Sequence, residues 1–218
     1  MNDRVLAFSD GVFAVAITLL VLGVAIQPGE TTAAEVLHQE WSSYLAFALS
    51  FLIVGYFWIG HHRRFQGLEG NDLGFVVINL ALLFCIVSMP FATSLIDEFA
   101  PERAAVVAYA TLVSVTSAIE LLQWVYAVRR GLLGASVDRR RFWDIVFDLV
   151  PALLVFLLSI PIAYIWDGMV AMICWAATFV LSPVVGVVGA RIVARREPGG
   201  FAAPRGSAGD APSELAEQ

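Results

Sequence analysis

Six long apolar stretches, each with at most one charged residue, constrain this chain more than any other feature. They cover about residues 5–26, 41–60, 73–96, 104–128, 146–166 and 168–193 of the 218-residue sequence. A helix needs about 20 residues to cross the hydrocarbon core of a bilayer. Only helices and closed barrels satisfy their backbone polar groups in lipid, and these runs lack the alternating pattern of barrel strands. The sequence therefore predicts an all-α integral membrane protein with six transmembrane helices.

The composition excludes most other classes of protein. Hydrophobic residues make up 59% of the chain and charged residues 15%, against roughly 45–50% and 25% in soluble domains. These values exclude a nucleic-acid-binding protein, a disordered protein and a water-soluble enzyme. The sequence has no nucleophile motif, phosphate-binding glycine loop or zinc-ligand spacing, so we expect no catalytic site, no metal and no cofactor. Cys85 and Cys174 lie deep in apolar runs and are expected to be core side chains.

The basic residues, all of them arginine, predict the orientation in the membrane. With the N-terminus in the cytoplasm, Arg103 alone of the 13 lies on the opposite side, a division that follows the positive-inside rule. The cytoplasmic arginines would be Arg4, Arg63, Arg64, Arg129, Arg130, Arg139, Arg140, Arg141, Arg191, Arg195, Arg196 and Arg205. Six spans then place both termini in the cytoplasm. We predict a transmembrane domain over residues 1–196 and a disordered cytoplasmic tail, rich in Gly, Ala, Pro and Ser, over residues 197–218.

The first span carries the most informative polar residues. Asp10 lies in its first turns, where a carboxylate is costly unless it is paired. Arg4 lies six residues away on a different face of the helix, so Asp10 needs a partner from another helix. We expect that partner to be His61 or His62, which end the second span at the same depth. Such a cluster either locks helices together, which is the interpretation we favour, or takes part in binding a permeating ion.

The opposite face of the first span holds an apolar stripe. Val15, Leu19 and Leu22 have the spacing i, i+4, i+7 and lie within roughly 60° of one another, with Asp10 on the far side. Periodicity by itself is more typical of a lipid-facing or helix-packing surface than of a pore lining. The middle of every span is free of formal charge, which disfavours an ion-coupled transporter without excluding it.

The run R-x-x-x-F-S-D at Arg4, Phe8, Ser9 and Asp10 resembles the signature of the transmembrane protein 175 family, the potassium channels of lysosomes and of many bacteria. The run G-V-F-A-V-A-I-T-L-L-V-L that follows is similar to the first helix of that family. Further similarity lies at Trp58, His61, His62, Arg63 and Phe65, and at the run P-F-x-T of residues 90–93. The resemblance covers about residues 1–195.

The resemblance implies a six-helix subunit that assembles as a homotetramer around a pore lined by the first helix. Stacked apolar rings would form the constriction at Val15, Leu19 and Leu22, with Thr18 as a nearby hydroxyl. Val15 stands where the family usually has isoleucine or leucine, so a wider constriction is expected. The carbonyl filter T-V-G-Y-G of ordinary potassium channels does not occur in this sequence. The network expected to lock the helices comprises Arg4, Phe8, Ser9, Asp10, His61 and His62.

Together these observations predict a potassium-permeable cation channel in a bacterial cell membrane, and not an enzyme. K⁺ would be the permeating ion, and the partners would be further copies of the chain and membrane lipids, with no nucleic acid. Two alternatives stay open. One is a cation or proton transporter that uses Asp10 and the histidines at the end of the second helix, and the other is a membrane scaffold without ion flux.

Overall fold

The computed structural model describes residues 2–24, 32–134, 137, 139–176 and 178. In this part of the chain the regular structure is helical, apart from an isolated bridge between Leu68 and Leu133. The helices are α1 (Asn2–Leu20), a 3₁₀ turn (Val21–Gly23), α2 (Ala33–Gln39), α3 (Trp41–Phe65), α4 (Leu73–Val87), α5 (Met89–Phe99), α6 (Arg103–Arg129) and α7 (Arg139–Ile165). Residues 168–176 are also helical.

Five stretches of the described residues are long and apolar enough to cross a membrane. They are Asn2–Gly23, Trp41–Phe65, Leu73–Phe99, Arg103–Arg129 and Phe142–Ile165, and they overlap the first five apolar stretches of the sequence. The prediction of an all-helical membrane protein is thereby confirmed. The sixth predicted span begins in the helical residues 168–176, but apart from residue 178 its remainder lies outside the described residues, as does the predicted tail.

The third span is divided into α4 and α5 because of its local sequence. Pro90, the second residue of α5, has no N–H to donate to the carbonyl four residues earlier, which breaks the helical ladder. The hydroxyl of Ser88, between the two helices, donates to the carbonyl of Phe84 at 2.8 Å. Beyond the break, α5 packs against α1, α3 and α6 and against the 3₁₀ turn after α1, so the C-terminal end of α1 has a neighbour.

The N-terminus of α4 is tied to the C-terminal end of α6. The carboxylate of Asp72 caps α4 by accepting from the backbone N–H of Phe75 at 2.8 Å, which is a common way to begin a helix. It also accepts from the hydroxyl of Tyr126 at 3.0 Å and from Nε of Arg130 at 3.1 Å. These donors, the Phe75 N–H first, hold the pKa of Asp72 below its usual value against the opposing effect of desolvation.

The centre of the helical bundle is α6, which packs against α4, α5 and α7. Aromatic rings join residues 168–176 to this centre. Trp175 stacks on Tyr109 of α6 and on Phe156 of α7, with ring centroids 5.0 and 5.4 Å apart. The indole of Trp175 donates to Ser159 at 3.0 Å, which satisfies its polar atom inside the bundle. In contrast to α6, α1 lies at the side of the subunit and packs with one face only.

Candidate functional site: the first helix and its supports

The two faces of α1 have different surroundings. Ser9, Phe13, Ala16 and Leu20 are buried and pack within the subunit. On the opposite face Val15, Leu19 and Leu22 are 55%, 42% and 71% exposed. The stripe identified in the sequence therefore points away from the core of the chain. An apolar face of this kind needs lipid or further protein to cover it.

The C-terminal end of the stripe differs from the predicted single helix. The sequence suggests one helix as far as residue 26, but α1 ends at Leu20 and Leu22 lies in the 3₁₀ turn that follows. The chain rises about 2.0 Å per residue in a 3₁₀ helix instead of 1.5 Å, so Leu22 stands slightly further from Leu19 than an α-helix would place it. Thr18 is exposed beside the stripe, and its hydroxyl donates to the carbonyl of Val15 at 2.9 Å.

The buried face of α1 is held by a hydrogen-bond network around Asn79 of α4. The amide of Asn79 donates to the hydroxyl of Ser9 at 2.9 Å. Its carbonyl oxygen accepts from Nε2 of His61 at 2.9 Å and from the amide of Gln123 at 3.1 Å. Asn79 thus joins α1, α3 and α6. Asn79 and Gln123 are 44 residues apart in the sequence, and only the packing of α4 against α6 brings them together.

This network determines the tautomer of His61. The carbonyl oxygen of Asn79 can only accept, so Nε2 of His61 carries the proton. Nδ1 is then an acceptor, and it has no hydrogen-bond partner among the described residues. The imidazole ring is fully buried, stacks on Phe65 with centroids 4.4 Å apart, and contacts Phe13 of α1 at 5.4 Å. His61 therefore packs directly against the buried face of α1.

Asp10 has a different partner from the expected one. Its carboxylate accepts from the indole N–H of Trp58 at 2.9 Å, and the expectation that it is buried against His61 or His62 is wrong. His61 faces Asn79 inside the bundle. His62 packs its ring 5.9 Å from that of Trp58, so the indole lies beside both Asp10 and His62. Trp58 could have been found from the sequence, because its indole N–H is a hydrogen-bond donor near the same end of α3 as the two histidines.

Two residues of the R-x-x-x-F-S-D run do not lock helices within the subunit. Arg4 is exposed and makes no hydrogen bond or ion pair with another described residue. Phe8 is 57% exposed. Both lie on the same side of α1 as Val15, Leu19 and Leu22, so within one subunit the locking role falls to Ser9, Asp10 and His61.

A buried ion pair that the sequence analysis did not assign joins α3 to α6. The guanidinium of Arg64 donates to the carboxylate of Glu120, and their side chains are only 5% and 1% exposed. Gly60 leaves room for Arg64 to fold back along α3, because a Cβ there would lie 3.0 Å from Nη1. A cavity of about 40 Å³ borders the pair. The sequence indicated such a pair only through Glu120, a lone carboxylate in an apolar span that needs a partner.

The neighbouring Arg63 makes a second link, to α7. It pairs with Asp148 at 2.9 Å, and the side chains are 59% and 32% exposed. The hydroxyl of Tyr56 donates to the backbone carbonyl of the same residue, Asp148.

In the part of the chain that the structure describes, no cluster of three or more His, Cys, Asp or Glu side chains could hold a metal ion.

Comparison with known proteins gives consistent similarities. The sequence model described as "Endosomal/lysosomal potassium channel TMEM175" matches residues 4–90. "Potassium channel B446_29190" of Streptomyces collinus is 36% identical over 147 residues, which cover 63% of this chain and 71% of that protein. "Potassium channel Cha6605_3372" of Chamaesiphon minutus is 35% identical over 146 residues, covering 63% and 72%. The crystal structure of a lysosomal potassium-selective channel TMEM175 homolog from Chamaesiphon minutus matches with a TM-score of 0.70 at 28% identity, covering 86% of this chain and 97% of that chain.

Proposed function

This chain belongs to the TMEM175 family, and on that premise we propose that it is a potassium-permeable cation channel in a bacterial cell membrane. The observation that carries the proposal is the exposed apolar stripe at Val15, Leu19 and Leu22, which the chain leaves uncovered while the opposite face of α1 packs against the bundle. The bacterial relatives named as potassium channels support the choice of ion. No cofactor is required for this function.

Four copies of the chain would form the pore, with α1 of each copy at the axis. Val15, Leu19 and Leu22 then become three apolar rings, with Thr18 as a hydroxyl beside the middle ring. An apolar ring offers no ligand to replace the hydration shell of an ion, so the ion crosses partly hydrated. Ring radius then controls conductance and selectivity, and narrow apolar rings can close the pore by dewetting.

We further propose six spans with both termini in the cytoplasm. The contacts at one end of the bundle support this orientation. The amide of Asn2 donates to the carbonyl of Leu68 at 3.1 Å, and Arg130 binds Asp72. The beginning of α1, the loop from α3 to α4 and the end of α6 therefore lie together. The arginines at these positions share one side of the membrane, as the positive-inside rule requires.

The alternative of a transporter or proton pathway through Asp10 and the histidines has less support from the contacts. Asp10 accepts from Trp58 and His61 donates to Asn79. Among the described residues, the recorded hydrogen bonds do not link Asp10 to His61. The polar groups around α1 are therefore better suited to holding the helix than to passing protons along a continuous chain.

Ion flux through reconstituted protein tests the proposal. Purified protein in liposomes should carry K⁺ down its gradient faster than Na⁺, without a requirement for a second ion. Leu19→Trp should abolish the flux by filling the middle ring, and Phe51→Trp, at an exposed position on α3, serves as the control. Flux of protons alone or obligatory coupling to protons would favour the transporter, and absence of any flux would favour the scaffold.

A further inference from the structure

The exposed stripe of α1 continues beyond the three proposed rings towards the N-terminus. Counting back from Val15 in steps of four and three residues gives Gly11, Phe8 and Arg4. At about 100° per residue these three lie within roughly 40° of the direction of Val15. All three are exposed in the subunit. Because α1 is an unbroken helix from Asn2 to Leu20, one continuous face carries Phe8, Gly11 and Val15.

The packing of α1 keeps Phe8 on this face. Ser9 next to it is bound to Asn79, and Phe13 and Ala16 are buried against the bundle, so the helix cannot turn Phe8 inward without breaking these contacts. Arg4 precedes Phe8 by one turn. Among the described residues, the guanidinium of Arg4 makes no cation–π contact with Phe8, and the Phe8 side chain is 57% exposed.

Gly11 separates Phe8 from the three apolar rings. Nothing lies within 4 Å of the position where a Cβ at Gly11 would stand. In a pore lined by α1, four glycines at this level form a wider chamber, because they contribute no side chains. Phe8 and Val15 bound the chamber about 10 Å apart, from seven residues at 1.5 Å each.

We propose that the Phe8 side chains of four subunits form a fourth, aromatic ring at the Arg4 end of the pore, and that this ring and the Gly11 chamber make a binding site for weakly hydrated monovalent cations. The inference rests on the pore proposed above. Aromatic rings attract cations through their electron-rich faces, and the attraction is strongest for cations that shed water easily. K⁺ releases its hydration shell more readily than Na⁺, so Phe8 contributes to selectivity before the ion reaches Val15.

Cysteine accessibility tests where Phe8 points. The background is the full chain with Cys85→Ala and Cys174→Ala, which removes the two native thiols. Phe8→Cys and, as the matched control, Phe51→Cys on α3 are reconstituted and exposed to a water-soluble trimethylammonium thiosulfonate from each side separately. Modification is read from the mass of the protein, and K⁺ flux is measured in parallel. We expect modification at position 8 from the Arg4 side only, with about a tenfold loss of K⁺ flux, and no modification at position 51.

A second variant keeps the aromatic contribution testable if the cysteine variant folds poorly. Phe8→Leu should lower the ratio of K⁺ to Na⁺ flux about two- to fivefold, and Phe8→Tyr should preserve it. The inference would be overturned if the thiol at position 8 were protected from the reagent on both sides, or if only a membrane-permeant maleimide labelled it. It would also be overturned if Phe8→Leu left the ratio of K⁺ to Na⁺ flux unchanged. Absence of K⁺ flux in the unmodified protein would overturn the proposed channel itself, which distinguishes the two failures.

Discussion

At the scale of single residues, the two adjacent arginines at the end of α3 have opposite surroundings. Arg64 is buried against Glu120, whereas Arg63 pairs with Asp148 near the surface. Removing one partner of a buried pair leaves an uncompensated charge, which costs about 3–5 kcal/mol, but an exposed pair is worth less than about 1 kcal/mol. Glu120→Gln should therefore lower the melting temperature in detergent far more than Asp148→Asn.

Replacement of the buried pair as a whole provides the control for this prediction. Arg64→Met combined with Glu120→Leu removes both charges and leaves apolar side chains of similar size. Such replacements are often neutral or stabilising, so the double variant should recover most of the loss seen in Glu120→Gln. Equal melting temperatures for Glu120→Gln and Asp148→Asn would contradict the burial of Glu120 in the assembled protein.

The proposed rings give a second prediction at the residue scale. Leu19→Ala should widen the middle ring and reduce discrimination between K⁺ and Na⁺, because an ion then retains more of its hydration shell. Val21→Ala is the matched control, since Val21 is exposed but lies about 120° from the stripe. Leu20 is unsuitable for this purpose because it is buried in the core. A larger change in ion ratio for Val21→Ala than for Leu19→Ala would show that α1 is rotated from the proposed position.

At the scale of elements, the rotation of α1 depends on Asn79. Asn79→Leu would leave the donors of His61 and Gln123 and the hydroxyl of Ser9 without their partner, and a buried polar group without a partner costs about 1–3 kcal/mol. We expect a lower melting temperature together with an altered ratio of K⁺ to Na⁺ flux, because α1 then loses one of the contacts that fix its rotation.

Asn71 supplies the comparison for Asn79. It also contacts α1, by donating to Asn2 at 2.7 Å, but it lies in the loop before α4 and at the end of the helix. Asn71→Leu should leave the ion ratio unchanged. If Asn79→Leu lowers stability while the surviving protein keeps the ion ratio of the unmodified channel, the network supports the fold but does not determine which residues line the pore.

At the scale of the whole molecule, the prediction is the topology. Reporter fusions should alternate in location, beginning outside, because the proposed six spans separate cytoplasmic termini and keep every arginine except Arg103 in the cytoplasm. The fusion points are Gln27, Arg64, Glu98, Arg130, Asp167 and Arg205. Two successive fusions on the same side would reject the six-span arrangement.

Native mass spectrometry of the purified protein should give four copies of the 23.7 kDa chain.

The sequence was sufficient to predict the fold class, but it predicted less of the candidate site. A long uncharged run indicates a membrane span whatever helices lie beside it, so the spans could be located from hydropathy. The partners of polar residues could not be predicted in this way, because a polar atom on a helix can reach several other atoms and only the packing of the helices selects one. For this reason the sequence suggested the wrong partners for Asp10, and it did not predict the contact between Asn79 and Gln123.

The sequence by itself determined the all-helical membrane class, the arginine asymmetry and the apolar stripe at Val15, Leu19 and Leu22. All three follow from composition and from the 3.6-residue period, which are properties of one helix at a time. Tertiary structure alone decided that this stripe faces out of the subunit, that Asn79 holds the opposite face and that Arg64 binds Glu120. These outcomes depend on which helices become neighbours, because burial of a polar group is favourable only where another helix supplies its partner.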